Sequence, residues 1–142
     1  MMRFAIILAA LAGVVVSTLA LRIHYSTDSQ PCSINEKWDC GIVNHSPYSE
    51  FAGFPVAAIG IAGYLAMAVL TLASRRIMVA LLAVIGLMFA VYLSHIEKDV
   101  LKVWCFYCVI SQGLIMLLTI LSLWWMYLIP PKHRSAKDWT EL

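Results

Sequence analysis

The chain has 142 residues, enough for one domain, with 62% hydrophobic and 13% charged residues, whereas soluble domains carry about 45–50% and about 25%. That surplus of apolar side chains needs a bilayer as solvent. A net charge of +2, with the cations scattered along the chain, gives no electrostatic footprint for nucleic acid.

A bilayer core takes about 20 apolar residues per helix, and four stretches supply them. Residues 4–23 are interrupted only by Ser17, Thr18 and Arg22. The same stretch has features of a cleaved leader, with Arg3 ahead of it and small residues from Ser17 to Ala20. Its apolar run exceeds the usual leader core of about 7–15 residues, however, and it is taken as a span. The long connection 24–53 follows, then uncharged spans at 54–73 and 77–96 separated by Ser74-Arg75-Arg76. A turn that short makes them antiparallel neighbours. The loop from Glu97 to Trp104 leads to the last span, 105–129, which Pro130-Pro131 stops before a tail at 130–142. The expectation is an all-α, integral membrane four-helix bundle in a single domain, with a long outer loop between the first two spans.

Basic residues orient the spans. With the N-terminus inside, Arg3, Arg75, Arg76, Lys132, Arg134 and Lys137 lie inside, and Arg22, Lys37, Lys98 and Lys102 outside. Both termini are then cytoplasmic, and all four cysteines share the outer, oxidising face. No cysteine was used to set that orientation.

The cysteines form two close pairs, Cys32 with Cys40 and Cys105 with Cys108. Cys105-Phe106-Tyr107-Cys108 opens the last span, where unpaired N–H groups and the helix dipole favour thiolate. Thiolate is the nucleophile of disulfide exchange. Read alone, this pair is open between a redox dithiol and two small core residues of a membrane helix. Cys32 and Cys40 are open between a shuttling pair and a static disulfide closing a small loop. A zinc site is disfavoured, because seven residues between Cys32 and Cys40 is looser than zinc-knuckle spacing. No metal is expected; His24, His45, His95 and His133 share no ligand-like spacing and read as interfacial residues. Trp104, Tyr107, Trp124, Trp125 and Tyr127 read as an aromatic belt. Gly60 and Gly63 read as a close-packing face of the second helix. Tyr48, Phe51 and Phe54 read as an amphipathic lid, and Glu97 and Asp99 as solvated loop charges.

Taken in order, these features resemble the vitamin K epoxide reductase family over residues 4–129. The resemblance is carried by Cys32 and Cys40 with seven residues between them, Ser46 six residues after Cys40, Gly53-Phe54-Pro55 entering the second span, Gly60, Tyr64, and the Cys-x-x-Cys opening the last. It implies a four-helix bundle around a quinone of the ubiquinone or menaquinone type, reduced as electron acceptor. Cys108 would lie nearest the ring, Cys105 would exchange with Cys40, and Cys32 would face the thiol donor. Ser46, Val56 and Gln112 match positions beside the ring. Bacterial members oxidise a periplasmic thioredoxin-like (DsbA-like) protein, often fused to the same chain. Here about ten residues follow Pro131, so a separate partner is expected. Val56 departs from the polar residues of the branch that reduces vitamin K epoxide, because it has no hydrogen bond to give. This favours a protein of the bacterial inner membrane supporting disulfide formation over an endoplasmic reticulum epoxide reductase. Two other readings are a quinone reductase of the DsbB type, whose Cys-x-x-Cys belongs to its first outer loop, and a membrane adaptor braced by structural disulfides.

Overall fold

The computed structural model describes residues 1–26 and 34–128. Cys32, His133 and the basic tail with Lys132, Arg134 and Lys137 lie outside that range. The elements run α1 (Met2–Tyr25), α2 (Cys40–Asn44), a 3-10 turn (Pro47–Ser49), a hairpin of β1 (Glu50–Phe51) and β2 (Phe54–Pro55), α3 (Val56–Leu72), α4 (Arg76–Ile96), a π turn (Glu97–Leu101) and α5 (Phe106–Leu128).

Three helices are long and apolar enough to cross a membrane, at Met2–Tyr25, Arg76–Leu101 and Phe106–Leu128; α3 is a shorter apolar helix of 17 residues. It begins two residues later than the apolar run because Phe54 and Pro55 are diverted into the hairpin. Ala52 and Gly53 both take positive φ, at 54° and 84°, which gives a two-residue turn whose twist matches the paired strands. The connection between α1 and α3 is therefore structured, with a helix, a 3-10 turn and a hairpin among its described residues, rather than plain loop.

α1 lies between α3 and α5, α4 packs on α5, and of these neighbouring long helices α3 and α4 make the lightest contact. Lipid gives no hydrophobic push between helices, so close approach through small residues is what joins them. A Cβ on Gly13 would sit 2.5 Å from the ring of Tyr64, and one on Gly60 would sit 2.9 Å from Ser17 Oγ. Gly86 meets Ile115 in the same way at 3.1 Å. Ile6, Ala10, Met67, Val79, Ala83 and Leu118 fill the core between these contacts. Gly63 corrects the sequence reading: nothing lies within 4 Å of where its Cβ would be, so it leaves space instead of packing a helix. Leu72, Leu81, Met88, Val91 and Ile120 point outward, as apolar side chains do when the surrounding solvent is acyl chain.

The ends of the bundle differ. At one, Arg3 Nη2 donates to the carbonyls of Thr71 at 3.2 Å and Leu72 at 2.8 Å, satisfying the last turn of α3. Arg75 and Arg76 begin α4 at that same end. The described cysteines gather at the other.

The glycine contacts predict a contrast. Gly13→Ala forces Tyr64 or a helix to move and should cost about 1–3 kcal/mol, seen as a lower unfolding midpoint in detergent. Gly63→Ala meets open space and should keep the midpoint or raise it, since alanine is the better helix former by about 1 kcal/mol.

Candidate redox site

The site is assembled by a short stretch of backbone pairing. Asn35 starts a tight turn by accepting at its Oδ1 from the backbone N–H groups of Lys37 at 2.9 Å and Trp38 at 3.1 Å. Trp38 then pairs in parallel with Trp104. Asp39 N–H donates to Trp104 O at 3.1 Å, and Trp104 N–H donates to Lys37 O at 2.8 Å. The two indoles lie 6.4 Å apart over the joint. The pair thus has a local structural role besides any in an aromatic belt. Asp39 next caps α2, accepting at Oδ1 from Gly41 N–H at 2.8 Å and Ile42 N–H at 3.3 Å. Cys40 is the first residue of α2. Cys105 directly precedes α5, and its carbonyl accepts the first helical bond, from Val109 at 3.0 Å.

This register brings Cys40 Sγ to 3.2 Å from Cys105 Sγ, with both residues fully buried. Cys40 is held in a disulfide, whereas Cys105 and Cys108 are free thiols. Asn44, one turn after Cys40, donates from Nδ2 to Cys40 O at 2.9 Å and approaches Cys105 Sγ at 3.6 Å. Its own carbonyl lies 2.7 Å from His24 Nδ1, so α1 anchors α2 over the sulfurs. Cys105 stands outside the span, at the N-cap of α5. Hydrogen bonding from the Cys108 side chain, helped by the Cys108 backbone N–H, pulls the Cys105 thiol below its ordinary range despite burial.

Below the sulfurs lies a cavity of about 420 Å³ lined by α1, α3, α4 and α5. Asn44, Ser46 and Tyr48 form its roof, Val56, Gly63 and Tyr64 one wall, and Phe89, Ser94 and Glu97 the opposite one; Cys108, Ser111 and Gln112 close it from α5. Ser46 Oγ donates to Val43 O at 2.7 Å. Tyr64 Oη donates to Ser111 O at 2.9 Å and lies 2.8 Å from Ser111 Oγ. The Ser94 hydroxyl donates to Gln112 Oε1. Ile59 and Ile85, which line the cavity from α3 and α4, are 36% and 62% exposed. Its size and mostly apolar wall with a few polar groups are those of a small-molecule site.

The model of the vitamin K epoxide reductase family matches residues 4–123. The chain belongs to that family. It is accordingly a multi-pass membrane oxidoreductase whose chemistry is linked to quinones of the vitamin K type.

The structure brings Cys40, Cys105, Cys108, Ser46, Val56 and Gln112 to one end of the family bundle, the last four around the cavity; Cys32 lies outside the described residues. Two corrections concern side chains read as surface features. Glu97 is not a solvated loop charge: it is 4% exposed, and its Oε2 accepts from Cys105 N–H at 3.2 Å. The π turn causes this by winding the chain one residue wider just after α4, which turns Glu97 inward. Asp99 stays outside and pairs with His95 at 2.9 Å. The expected lid is divided, with Tyr48 and Phe51 lining the cavity and Phe54 pointing away at 66% exposure. Asn44 was missed altogether, although a polar residue four after a cysteine on a helix shares that cysteine's face.

The sulfur geometry can be checked chemically. In Cys32→Ser/Cys108→Ser, mild oxidation should join Cys40 to Cys105 nearly completely, read as loss of thiol alkylation without dimer formation. Both thiols remaining open to alkylation would contradict the 3.2 Å approach. Adding Asn44→Ala should slow closure several-fold.

Proposed function

We propose that this protein is a thiol-disulfide oxidoreductase that carries electrons from a thioredoxin-like protein dithiol, through Cys32–Cys40 and then Cys105–Cys108, to a quinone, and so supports disulfide formation. The observation that carries the proposal is the placement of Cys105. It touches Cys40 of the loop pair on one side, while its partner Cys108 faces the cavity on the other.

Each exchange is attack by a thiolate on a disulfide sulfur, through a mixed disulfide. The partner's dithiol reduces Cys32–Cys40. Cys40 thiolate then attacks an oxidised Cys105–Cys108 pair at Cys105, releasing Cys108. Cys32 next attacks Cys40 and expels Cys105. The lowered Cys105 thiol suits it to that departure, because a leaving group of low pKa leaves faster. The loop pair ends as a disulfide and the helix pair as a dithiol, the same redox pattern that the described cysteines have here.

The dithiol then meets a quinone entering between α3 and α4 past Ile59 and Ile85. Cys108 supplies the electron pair, Cys105 closes on Cys108, and two thiols with one quinone become one disulfide and one quinol. Gln112, its Oε1 already engaged by Ser94, has amide N–H groups left to meet a quinone oxygen. Ser46 is a second candidate and Val56 a purely apolar contact, which favours quinone over epoxide as substrate. Potential sets direction: a DsbA-like dithiol near about −120 mV gives up electrons only to a still stronger oxidant, and a respiratory quinone is one. The bacterial inner membrane, with the cysteines on its outer face, supplies both oxidant and partner. A bracing role for all four cysteines accords poorly with free thiols at Cys105 and Cys108.

Two variants test the path. Cys108→Ser should abolish quinone reduction by purified protein supplied with a dithiol; full activity would place ring reduction elsewhere. Cys40→Ala should accumulate the thioredoxin-like partner as a mixed disulfide on Cys32, detected by mass spectrometry. Accumulation on Cys108 would reverse the assigned order.

A further inference from the structure

Quinone reduction moves protons as well as electrons, and the thiol path says nothing of how a buried thiol loses its proton. Glu97 is the acid within reach. Its Oε2 holds Cys105 N–H at 3.2 Å, it and Cys108 line the same cavity, and the two groups influence each other's ionisation. Among the described residues the ion pairs are His24–Glu50 and His95–Asp99, so no cation there pairs with Glu97. The titratable groups facing it are the Cys105 and Cys108 thiols from the start of α5. Cys40 of α2 is held in its disulfide, and Tyr107 shares the cavity wall.

A buried site without a cation tolerates one negative charge far better than two side by side. Ionising the Cys108 thiol beside an already ionised Glu97 would create two. The repulsion vanishes if the thiol proton moves onto the carboxylate, because the site then keeps a single charge throughout. We propose that Glu97 is a catalytic proton carrier, taking the proton of the Cys108 thiol as that sulfur becomes the electron donor and delivering it to the quinone oxygen as the ring is reduced. The inference rests on the proposed function. In balance, the Cys108 proton passes through Glu97 to one quinone oxygen, and the Cys105 proton follows over the same carboxylate to the other as its sulfur closes on Cys108, giving the two protons of the quinol. The two electrons of the new S–S bond's formation go to the ring, and Glu97 ends as it began.

The plain alternative is that Glu97 only caps α5. A cap needs an acceptor for Cys105 N–H, which glutamine supplies, whereas a proton carrier needs a group that ionises. Glu97→Gln therefore separates the two roles. The measurement is single-turnover reduction of a short-tailed ubiquinone by the full chain in nanodiscs, starting from the reduced Cys105–Cys108 pair. Glu97→Gln should slow this step by about 10²–10⁴-fold, the usual contribution of a positioned acid-base group. The residual rate should climb about tenfold per pH unit, since the thiol must then ionise to water. Cys40 should still close on Cys105 to completion in the variant, because glutamine keeps an acceptor for Cys105 N–H. A wild-type quinone rate in Glu97→Gln overturns the inference. Should Glu97→Gln fail to fold, Glu97→Asp decides: a shortened carrier should be slower with a displaced pH profile, and wild-type rate and profile would overturn the proposal. Failure of the wild-type chain to reduce the quinone at all would instead refute the proposed function itself.

Discussion

The chemistry of this protein hangs on a backbone joint of two hydrogen bonds between residues 37–39 and Trp104. Cys40 and Cys105 are 65 residues apart in the chain, and side-chain packing alone would leave their relative register loose. A parallel bridge limits that freedom by tying residues 37–39 to Trp104 through backbone hydrogen bonds on both sides. Each sulfur follows the bridge directly, one at the start of a capped helix and the other at the N-cap of α5. Two hydrogen bonds of about 0.5–1.5 kcal/mol each are also a modest fastening. They suit a segment that, on the proposed path, presents one sulfur inward to α5 and serves a partner from the same loop.

The bundle beneath the joint is built unevenly, and the unevenness makes the cavity. α1 is drawn onto α3 where Gly13 admits the Tyr64 ring and Gly60 admits Ser17, and α4 is drawn onto α5 at Gly86. No comparable contact joins α3 to α4 along their length, and Gly63 leaves its side of α3 bare. A gap that would be a packing defect in water is tolerable in a bilayer, where acyl chains can fill it and a lipid-soluble ring can replace them. Tyr64 serves both purposes: its ring seals α1 against α3 while its hydroxyl ties α3 to Ser111 beside the cavity.

Much of this was legible in the sequence, because the strongest physical constraints are one-dimensional. Apolar length gave the four helices to within a few residues, and the cysteine spacing with Ser46 and Gly53-Phe54-Pro55 gave the family. What escaped depended on local backbone turns. Two successive residues with positive φ, Ala52 and Gly53, took Phe54-Pro55 out of α3. A π turn carried Glu97 from an apparent loop to a buried position; a charge next to Lys98 and Asp99 gives no sign of that in composition. Asn44 escaped because its importance comes from His24 on one side and Cys105 on the other, neither of them near it in the chain.

For the proposed relay, the same corner of the structure explains why its acid lies inside. The N-terminus of α5 favours negative charge at Cys105 through its free N–H groups, and the carboxyl group of Glu97 accepts from one of those N–H groups. The helix end can hold one anion comfortably. When electrons arrive at the pair, the charge must sit on sulfur; when they leave, it must sit elsewhere. A carboxylate hydrogen-bonded to the backbone of one cysteine and adjacent to the thiol of the other lets that charge change places over a single side chain's length. The total stays constant in a medium where a second charge would cost several kcal/mol. On the proposed path, electron transfer to a ring in the cavity is then electroneutral at each stage, and low polarity around the site, otherwise an obstacle to ionic chemistry, becomes the reason proton and electron movements stay coupled.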